Sequence, residues 1–232
     1  MNIFIDIHTH NNDSDLSIVN LFLQEINFSL PKEKLISAGI HPWHISEINL
    51  QSELEKLFQL AESGEICAIG EIGLDLLTKS SLPEQKKIFE QQLEIAEKFQ
   101  LPVIIHCVKA FNEIVSIRKK RSNQTNWIIH GFNNNLQIAK ELIKHKCFIS
   151  FGAALLKNNS NASNIIKEIP LQNIFLETDE SENKIEEIYN KAAELLNIET
   201  KELQQKIREN FTRCFGKDYY ELVNQNRTFD GK

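Results

Sequence analysis

Seven histidines occur in this 232-residue chain, and six of them fall at or near the carboxyl end of a short apolar run. Two carboxylates share this placement, because Glu71 ends the run AIGE and Asp179 follows FLET. Neutral imidazoles and carboxylates are the ligands that suit Zn²⁺, Mn²⁺ and related ions. The residue types therefore predict a divalent-metal site. The candidate ligands among the histidines are His8, His10, His106 and His130, whereas His41 and His44 bracket Pro42 and Trp43 after the third run.

The pair His8 and His10 indicates how such a site begins. The two residues lie two apart on a predicted strand, so both side chains point to the same side. One carboxylate among the imidazoles, with a second acid, favours two metal ions, since a carboxylate has two oxygens and can bridge. We assign the bridge to Glu71, because its strand lies between the two histidine groups in chain order. The expected cofactors are two divalent ions, with Zn²⁺, Mg²⁺ and Mn²⁺ all left open.

Eight short apolar runs would have to position these residues. They predict strands over 2–8, 16–23, 34–40, 65–71, 102–106, 126–130, 146–150 and 173–177. Several runs are almost continuously apolar, which is typical of parallel strands buried on both faces. Helical periodicity occupies most of the intervals, over 50–63, 83–99, 110–120, 135–145, 159–168, 182–197 and 199–215.

This order predicts an α/β fold, an irregular (β/α)8 TIM-type barrel. In such a barrel the carboxyl ends of the strands meet on one face, which carries the active site. Too few residues separate the first two strand signals for a crossover helix, so the barrel must be irregular there. A doubly wound open sheet is the alternative, although no G-x-G-x-x-G follows the first run.

The composition is that of an ordinary globular protein, with 41% hydrophobic and 25% charged residues. A net charge of −6 excludes an extended basic face for nucleic acid and disfavours polybasic docking to a membrane. No run approaches the roughly 18 apolar residues of a membrane span. The four cysteines lack C-x-x-C spacing and read as reduced, buried residues. We therefore expect a cytoplasmic protein with one domain over 1–223 and a polar tail over 224–232.

Six motifs in series identify a family resemblance. They are DIHTH (6–10), GIHPWH (39–44), AIGEIGLD (68–75), PVIIHC (102–107), IIHGF (128–132) and LETD (176–179). Together they resemble the TatD family of metal-dependent deoxyribonucleases, which lies within the amidohydrolase-type barrels. The resemblance implies hydrolysis of phosphodiesters, in DNA or in a small substrate, by metal-activated water.

The resemblance also implies a role for each candidate ligand. Asp179 would serve both as a ligand and as the base that deprotonates the attacking water, and Asp75 would orient a ligand histidine. The catalytic candidates are Asp179, Glu71 and His41. The implied ligands are His8, His10 and Asp179 for one ion, His106 and His130 for the other, and Glu71 for both.

The sequence departs from the family pattern around this set. Members usually carry an arginine two residues after the fifth-strand histidine, where this chain has Val108 followed by Lys109. Members usually follow Glu-Thr-Asp with Ser-Pro-Tyr and a long loop, whereas Glu180 follows Asp179 here and a helix begins soon after. The predicted substrate contacts are His41, Lys109 and Lys157.

Three functions follow from these observations. The first is a phosphodiesterase or deoxyribonuclease. The second is a metal-dependent hydrolase of small C–N or C–O substrates on the same ligands, which the added acid beside Asp179 favours because it would repel a phosphate chain. The third is a non-enzymatic metal-bound scaffold, the weakest of the three, because a folding role does not need a water-activating base.

Overall fold

The computed structural model describes residues 3–11, 16–26, 30, 34–121 and 125–216. The strands in these ranges are β1 (Ile5–Thr9), β2 (Leu16–Phe22), β3 (Leu35–Gly39), β4 (Ala68–Asp75), β5 (Val103–Val108), β6 (Trp127–Ile129), β7 (Cys147–Phe151) and β8 (Ile174–Leu176). The helices are α1 (Leu50–Glu62), α2 (Leu82–Phe99), α3 (Phe111–Lys120), α4 (Leu136–Lys144), α5 (Asn161–Ile165), α6 (Ile185–Leu196) and α7 (Thr200–Phe215). Each strand overlaps one of the eight predicted runs.

All eight strands run parallel, and each pairs with the next one along the chain. The segment after β8 then pairs with the end of β1 and brings the first and last strands together. Asp179 donates its backbone N–H to the His8 carbonyl at 3.0 Å, and His10 donates its own to the Asp179 carbonyl at 3.2 Å. The predicted barrel is confirmed, and the doubly wound alternative is wrong because the strand order never reverses.

The predicted irregularity lies between the first two strands. β1 ends at Thr9 and β2 begins at Leu16, yet the two strands are direct neighbours in the sheet. Their register shifts between Asp6 and Thr9. Six residues separate the two strands, fewer than the dozen or so that a crossover helix needs.

Strand β4 bends where it carries Glu71. Its pairing with β5 shifts register between Ile69 and Ile72, which leaves one extra residue in β4. Gly70 fits this bulge, since a Cβ there would lie 2.7 Å from the Cβ of Ile104. Bulges commonly re-aim a side chain beside an active site, and this one precedes Glu71 directly.

Buried polar side chains of the helices hold the strand ends in place. Gln92 of α2 accepts a hydrogen bond from the Ile40 N–H at 2.6 Å and donates one to the Ile40 carbonyl at 3.1 Å. Gln85, two turns earlier, makes the same pair of bonds with the backbone of Asp75, at 2.8 and 2.9 Å. Tyr189 of α6 clamps Ile5 of β1 in the same way. Because a buried polar group without a partner is costly, these bonds fix α2 against the ends of β3 and β4, and α6 against the start of β1.

Apolar side chains fill the space between strands and helices. Every residue of β4 is buried, as is every residue of β1, β3 and β7. Each fully buried Ile, Leu or Phe stabilises the fold by about 1.5–3 kcal/mol relative to an exposed one. The four cysteines are unpaired, and three of them are buried. In the described part of the chain, no helix combines the length and the apolar character that a bilayer crossing requires.

The predicted carboxyl-terminal boundary of the domain lies outside the described residues. Residues 217–223 of the predicted domain lie outside the described residues, and so does the whole predicted tail over 224–232. One domain over 1–223 therefore stays a prediction.

Candidate metal centre

Glu71 lies at the middle of a cluster of imidazoles at the carboxyl ends of the strands. Its Oε1 is 2.6 Å from His106 Nδ1, 2.6 Å from His130 Nε2 and 3.3 Å from His41 Nε2. Burial opposes ionisation of Glu71, but the histidines His130, His10 and His106 lower its pKa well below the usual range. The carboxylate is therefore ionised and faces three strands at once.

The second oxygen of Glu71 faces the histidines of β1. Its Oε2 lies 3.4 Å from His8 Nε2 and 3.8 Å from His10 Nε2. Asp179 closes this side, with its Oδ1 3.5 Å from His8 Nε2 and 3.8 Å from His10 Nε2. The strand pairing that closes the barrel is thus also what brings these three ligand candidates together.

The protons of this cluster compete with any cation that binds there. Burial disfavours a charged His8, yet Asp179 and Glu71 raise its pKa to about 9. Burial likewise disfavours a charged His130, and Glu71 and Glu177 raise its pKa well above the usual range. Metal ligands must be neutral imidazoles, so these protons have to leave before an ion can bind.

The residues present fit divalent ions. Three sets have their ligand atoms within 4.8 Å of one another. His8 is fully buried, and neither of its ring nitrogens makes a hydrogen bond within the described part of the chain. Buried polar atoms are nearly always paired, and a cation facing His8 Nε2 would pair it. The sets are His8, His130 and Asp179; His8, His10 and Glu71; and His41, Glu71 and His106.

Two further carboxylates face the outer nitrogens of two candidate ligand histidines. His130 Nδ1 lies 3.5 Å from Glu177 Oε1, and Glu177 in turn accepts hydrogen bonds from the Ser150 hydroxyl and the Gly131 N–H. His106 Nε2 lies 3.3 Å from Asp75 Oδ2. Such partners orient a metal-binding imidazole and raise its basicity. Asp75 therefore lies beside His106, and its role in orienting a ligand stays a prediction.

His41 lies closer to the cluster than its predicted role as a substrate contact requires. It is buried, and its Nδ1 accepts the Trp43 backbone N–H at 3.2 Å. This bond leaves Nε2 facing Glu71, within one of the three ligand sets. His44 lies outside these sets, where its ring packs 4.9 Å from that of Phe22 and its Nδ1 is 3.6 Å from Glu47.

The two predicted lysine contacts make no bond with the cluster. Lys109 is exposed in the turn after β5, with a φ of 57°. Lys157 is exposed after β7 and lines a surface cavity with Asn159 and Lys191. Among the described residues, neither lysine forms an ion pair with Glu71 or Asp179. Their roles as substrate contacts stay predictions.

Three positions near the site escaped the sequence reasoning. Phe22 ends β2, and its ring centroid lies 5.4 Å from that of His10. Gln92 holds the residue before His41, and Glu177 faces His130. Two of the three carried a usable signal. Gln92 follows Gln85 by two helical turns on the buried stripe of α2, and Glu177 lies two residues before Asp179.

Comparisons with known proteins identify relatives of this chain. The TATDN1 homolog of Enterocytozoon bieneusi (strain H348) is 33% identical over 184 residues, which cover 71% of this chain and 65% of that protein. The "Uncharacterized metal-dependent hydrolase YabD" of Bacillus subtilis (strain 168) is 33% identical over 142 residues, 59% of this chain and 56% of that protein. This chain thus covers less than two thirds of either relative.

The fold has a solved counterpart. The crystal structure of YjjV, a TatD homolog from Escherichia coli K12, superposes with a TM-score of 0.79 at 23% identity, covering 93% of this chain and 99% of that one. The sequence model described as "TatD related DNase" matches residues 22–216, well over half of the chain. By that match the chain belongs to the TatD-related DNase family.

Proposed function

We propose that this protein is a divalent-metal-dependent hydrolase that cleaves phosphodiesters, with DNA as the foremost substrate. One observation carries the proposal. A single buried carboxylate, Glu71, presents one oxygen to His106 and His130 and the other to His8 and His10. A bridging group of this kind suits two ions held close together, as in many enzymes that cleave phosphodiesters.

Each candidate ligand is assigned to one of two ions by the Glu71 oxygen that it faces. His8, His10 and Asp179 would hold one ion, and His106 and His130 the other, with His41 close to the second group. When bound, such ions lower the pKa of water and neutralise charge that develops on a phosphoryl oxygen.

Asp179 is the residue best placed to accept the proton of the attacking water. Its side chain is 39% exposed, whereas that of Glu71 is 5% exposed, so Asp179 meets the solvent at the mouth. Burial opposes its ionisation, but His8 and His130 lower its pKa, and it is therefore a carboxylate at neutral pH. Its backbone is fixed on both sides by β1, which keeps the carboxylate over the cluster.

A second function is favoured by the charge beside Asp179. Glu180 and Glu182 are both exposed directly after it, and like charge lowers the affinity for a phosphate chain. A small substrate with a C–N or C–O bond would avoid this repulsion. The same residues would serve it, because an ion polarises a carbonyl as well as a phosphoryl oxygen.

An activity panel separates these functions. The purified protein is loaded with Mn²⁺, Mg²⁺ or Zn²⁺ and assayed on a chromogenic phosphodiester, single-stranded DNA, RNA and small amides, with Asp179→Asn as the control for contaminating nucleases. Cleavage of diesters by the wild type and not by the variant supports the proposal. Cleavage of amides alone supports the second function, and no turnover of any substrate leaves only the scaffold.

The compartment is also part of the proposal. All four cysteines are unpaired, which fits a reducing compartment such as the cytoplasm. Fractionation of source cells with an antibody to this chain tests it, and recovery outside the cytoplasm contradicts it.

A further inference from the structure

The mouth of the barrel carries an exposed apolar patch beside the metal centre. In the described part of the chain the exposed large hydrophobic side chains are Trp43, Leu76 and Leu77, with 49%, 44% and 66% of their surfaces accessible. All three follow neighbouring strands, Trp43 after β3 and the two leucines after β4. They therefore lie on one side of the mouth, and we call them the apolar shelf.

Asp75 builds this shelf and joins it to the metal centre. Its Oδ2 accepts the indole N–H of Trp43 at 2.8 Å, and its Oδ1 accepts the Leu77 N–H at 2.7 Å. The same Oδ2 lies 3.3 Å from His106 Nε2. This hydrogen bond favours one orientation of the half-exposed indole, which preorganises the shelf for a ligand.

The Trp43 ring lies next to candidate ligands, with an orientation that leaves it open to stacking. Its centroid is 4.6 Å from that of His41 and 6.0 Å from that of His106. Both imidazoles meet it steeply, at 80° and 75°. Among the described rings, none is stacked parallel on the indole.

The rest of the rim offers little for a phosphate chain. Val108 stands two residues after His106, and Glu180 and Glu182 are exposed after Asp179. Binding through many phosphate contacts needs clustered lysines and arginines. Recognition through the flat face of a base needs only an aromatic platform, since every base has a π-face.

We propose that the apolar shelf binds the unpaired nucleobase next to the scissile phosphodiester, by stacking on Trp43. A base lies one sugar ring away from its phosphate, and the ring centroid of Trp43 lies 4.6 Å from that of His41 and 6.0 Å from that of His106. This inference rests on the proposed function for the identity of the ligand. It adds that the substrate is a single strand or a frayed end, because a paired and stacked base cannot reach the indole.

Binding of two matched ligands tests the shelf without any turnover. Isothermal titration calorimetry of the metal-loaded protein compares deoxyadenosine 5′-monophosphate with 2-deoxyribose 5-phosphate, which lacks the base. Stacking on an aromatic side chain predicts that the nucleotide binds about 5- to 150-fold more tightly. Trp43→Leu should abolish this preference. Trp43→Phe should keep part of it, because phenylalanine still stacks but cannot donate to Asp75.

Control measurements separate stacking from charge and from self-association. Glu180→Gln changes the charge near the phosphate of either ligand by the same amount. The ratio of the affinities for the nucleotide and for 2-deoxyribose 5-phosphate should therefore stay at the wild-type value. Fluorescence gives a second readout, since Trp127 is fully buried and Trp43 is the exposed tryptophan. The nucleotide should quench the wild type and leave Trp43→Phe unchanged.

Three results would overturn the shelf. They are equal affinities in the wild type, a preference that survives Trp43→Leu, and a wild-type dimer in sedimentation that Leu77→Ser dissociates without any base preference. The last would make the patch an interface between copies of this chain. If the nucleotide binds more tightly but no diester is cleaved with any metal, the base-binding role of the shelf is supported and the proposed phosphodiester hydrolysis is contradicted.

Discussion

The side chains around Glu71 are mostly buried and contact their neighbours, whereas the charged residues on the surrounding rim are exposed and make few contacts. His130 Nδ1 faces Glu177 at 3.5 Å, and the residue before His41 is held by Gln92. On the rim, Lys109 and Glu180 are exposed and make no such bonds within the described residues. The contrast indicates that the buried cluster serves the chemistry and the exposed rim serves substrate specificity. The cluster is preorganised by residues that cannot change freely, and the rim is free to vary.

Replacing the central carboxylate should have the largest effect. Glu71→Gln removes the negative charge that both predicted ions share, so two cations would repel each other at short range. We expect both ions to be lost and turnover with them. His106→Ala should lose mainly one ion. Elemental analysis of the purified variants counts the metals, with circular dichroism as the check on folding.

A rim carboxylate gives the matched control for that change. Glu180→Gln removes the same charge outside the cluster and should keep the full metal content. Equal metal loss in Glu71→Gln and His106→Ala would contradict the bridge.

Asp179 lies at the border of the two regions, and its substitution should affect rate more than structure. Asp179→Asn keeps the shape and one oxygen but removes the proton acceptor. General-base contributions are about 10²–10⁴-fold, so we expect kcat to fall by that factor while the metal content and the thermal midpoint change little. Steady-state kinetics on a cleaved diester measures this. Turnover near the wild-type value would mean that Asp179 is a ligand only.

Substitution of Glu177 tests whether a carboxylate behind His130 contributes to metal affinity or activity. Glu177→Gln keeps the size of the side chain but removes the charge that faces His130 Nδ1. Loss of such a partner costs about 10–100-fold in metal affinity or activity. Competition with a chelating dye measures the affinity. An unchanged metal affinity would show that Glu177 acts through its hydrogen bonds to Ser150 and Gly131 and not through His130.

The sequence alone predicted the strands and part of the site, but not all of these contacts. The apolar runs predicted all eight strands, and the parallel order then placed His8, His106, His130 and Asp179 at one face, because carboxyl ends of parallel strands meet there. The closeness of His41 to Glu71 did not follow, since it depends on the turn at Trp43 rather than on a period. The pattern also gave no sign that Trp43 is exposed, because a tryptophan after a strand is usually buried.

Acid should weaken metal binding in the cluster. The pKa of His8 is raised to about 9, so His8 is protonated at neutral pH in the metal-free protein and must lose that proton to bind an ion. Affinity should therefore rise with pH up to about 9, by roughly tenfold per pH unit for each proton released. Calorimetry in two buffers of different ionisation enthalpy counts the protons. Binding without proton release contradicts the account.

Rim charge should have the smallest effect. The double variant Glu180→Gln with Glu182→Gln removes two exposed negative charges beside Asp179. We expect kcat/KM for a DNA substrate to rise by a few fold at low salt, mostly through KM, and the gain to vanish as salt screens the site. A salt series on both proteins measures it. A gain that persists at high salt would point to a direct contact instead of a long-range field.

The position of the ions tests the central claim most directly. Crystals soaked in Mn²⁺ are measured on both sides of the manganese absorption edge, so that anomalous peaks mark the ions alone. We predict two peaks about 3.5–4 Å apart, one between Glu71 and the histidines of β1 and one between Glu71 and His106 and His130. A single peak, or peaks away from Glu71, would contradict a two-metal site bridged by this carboxylate.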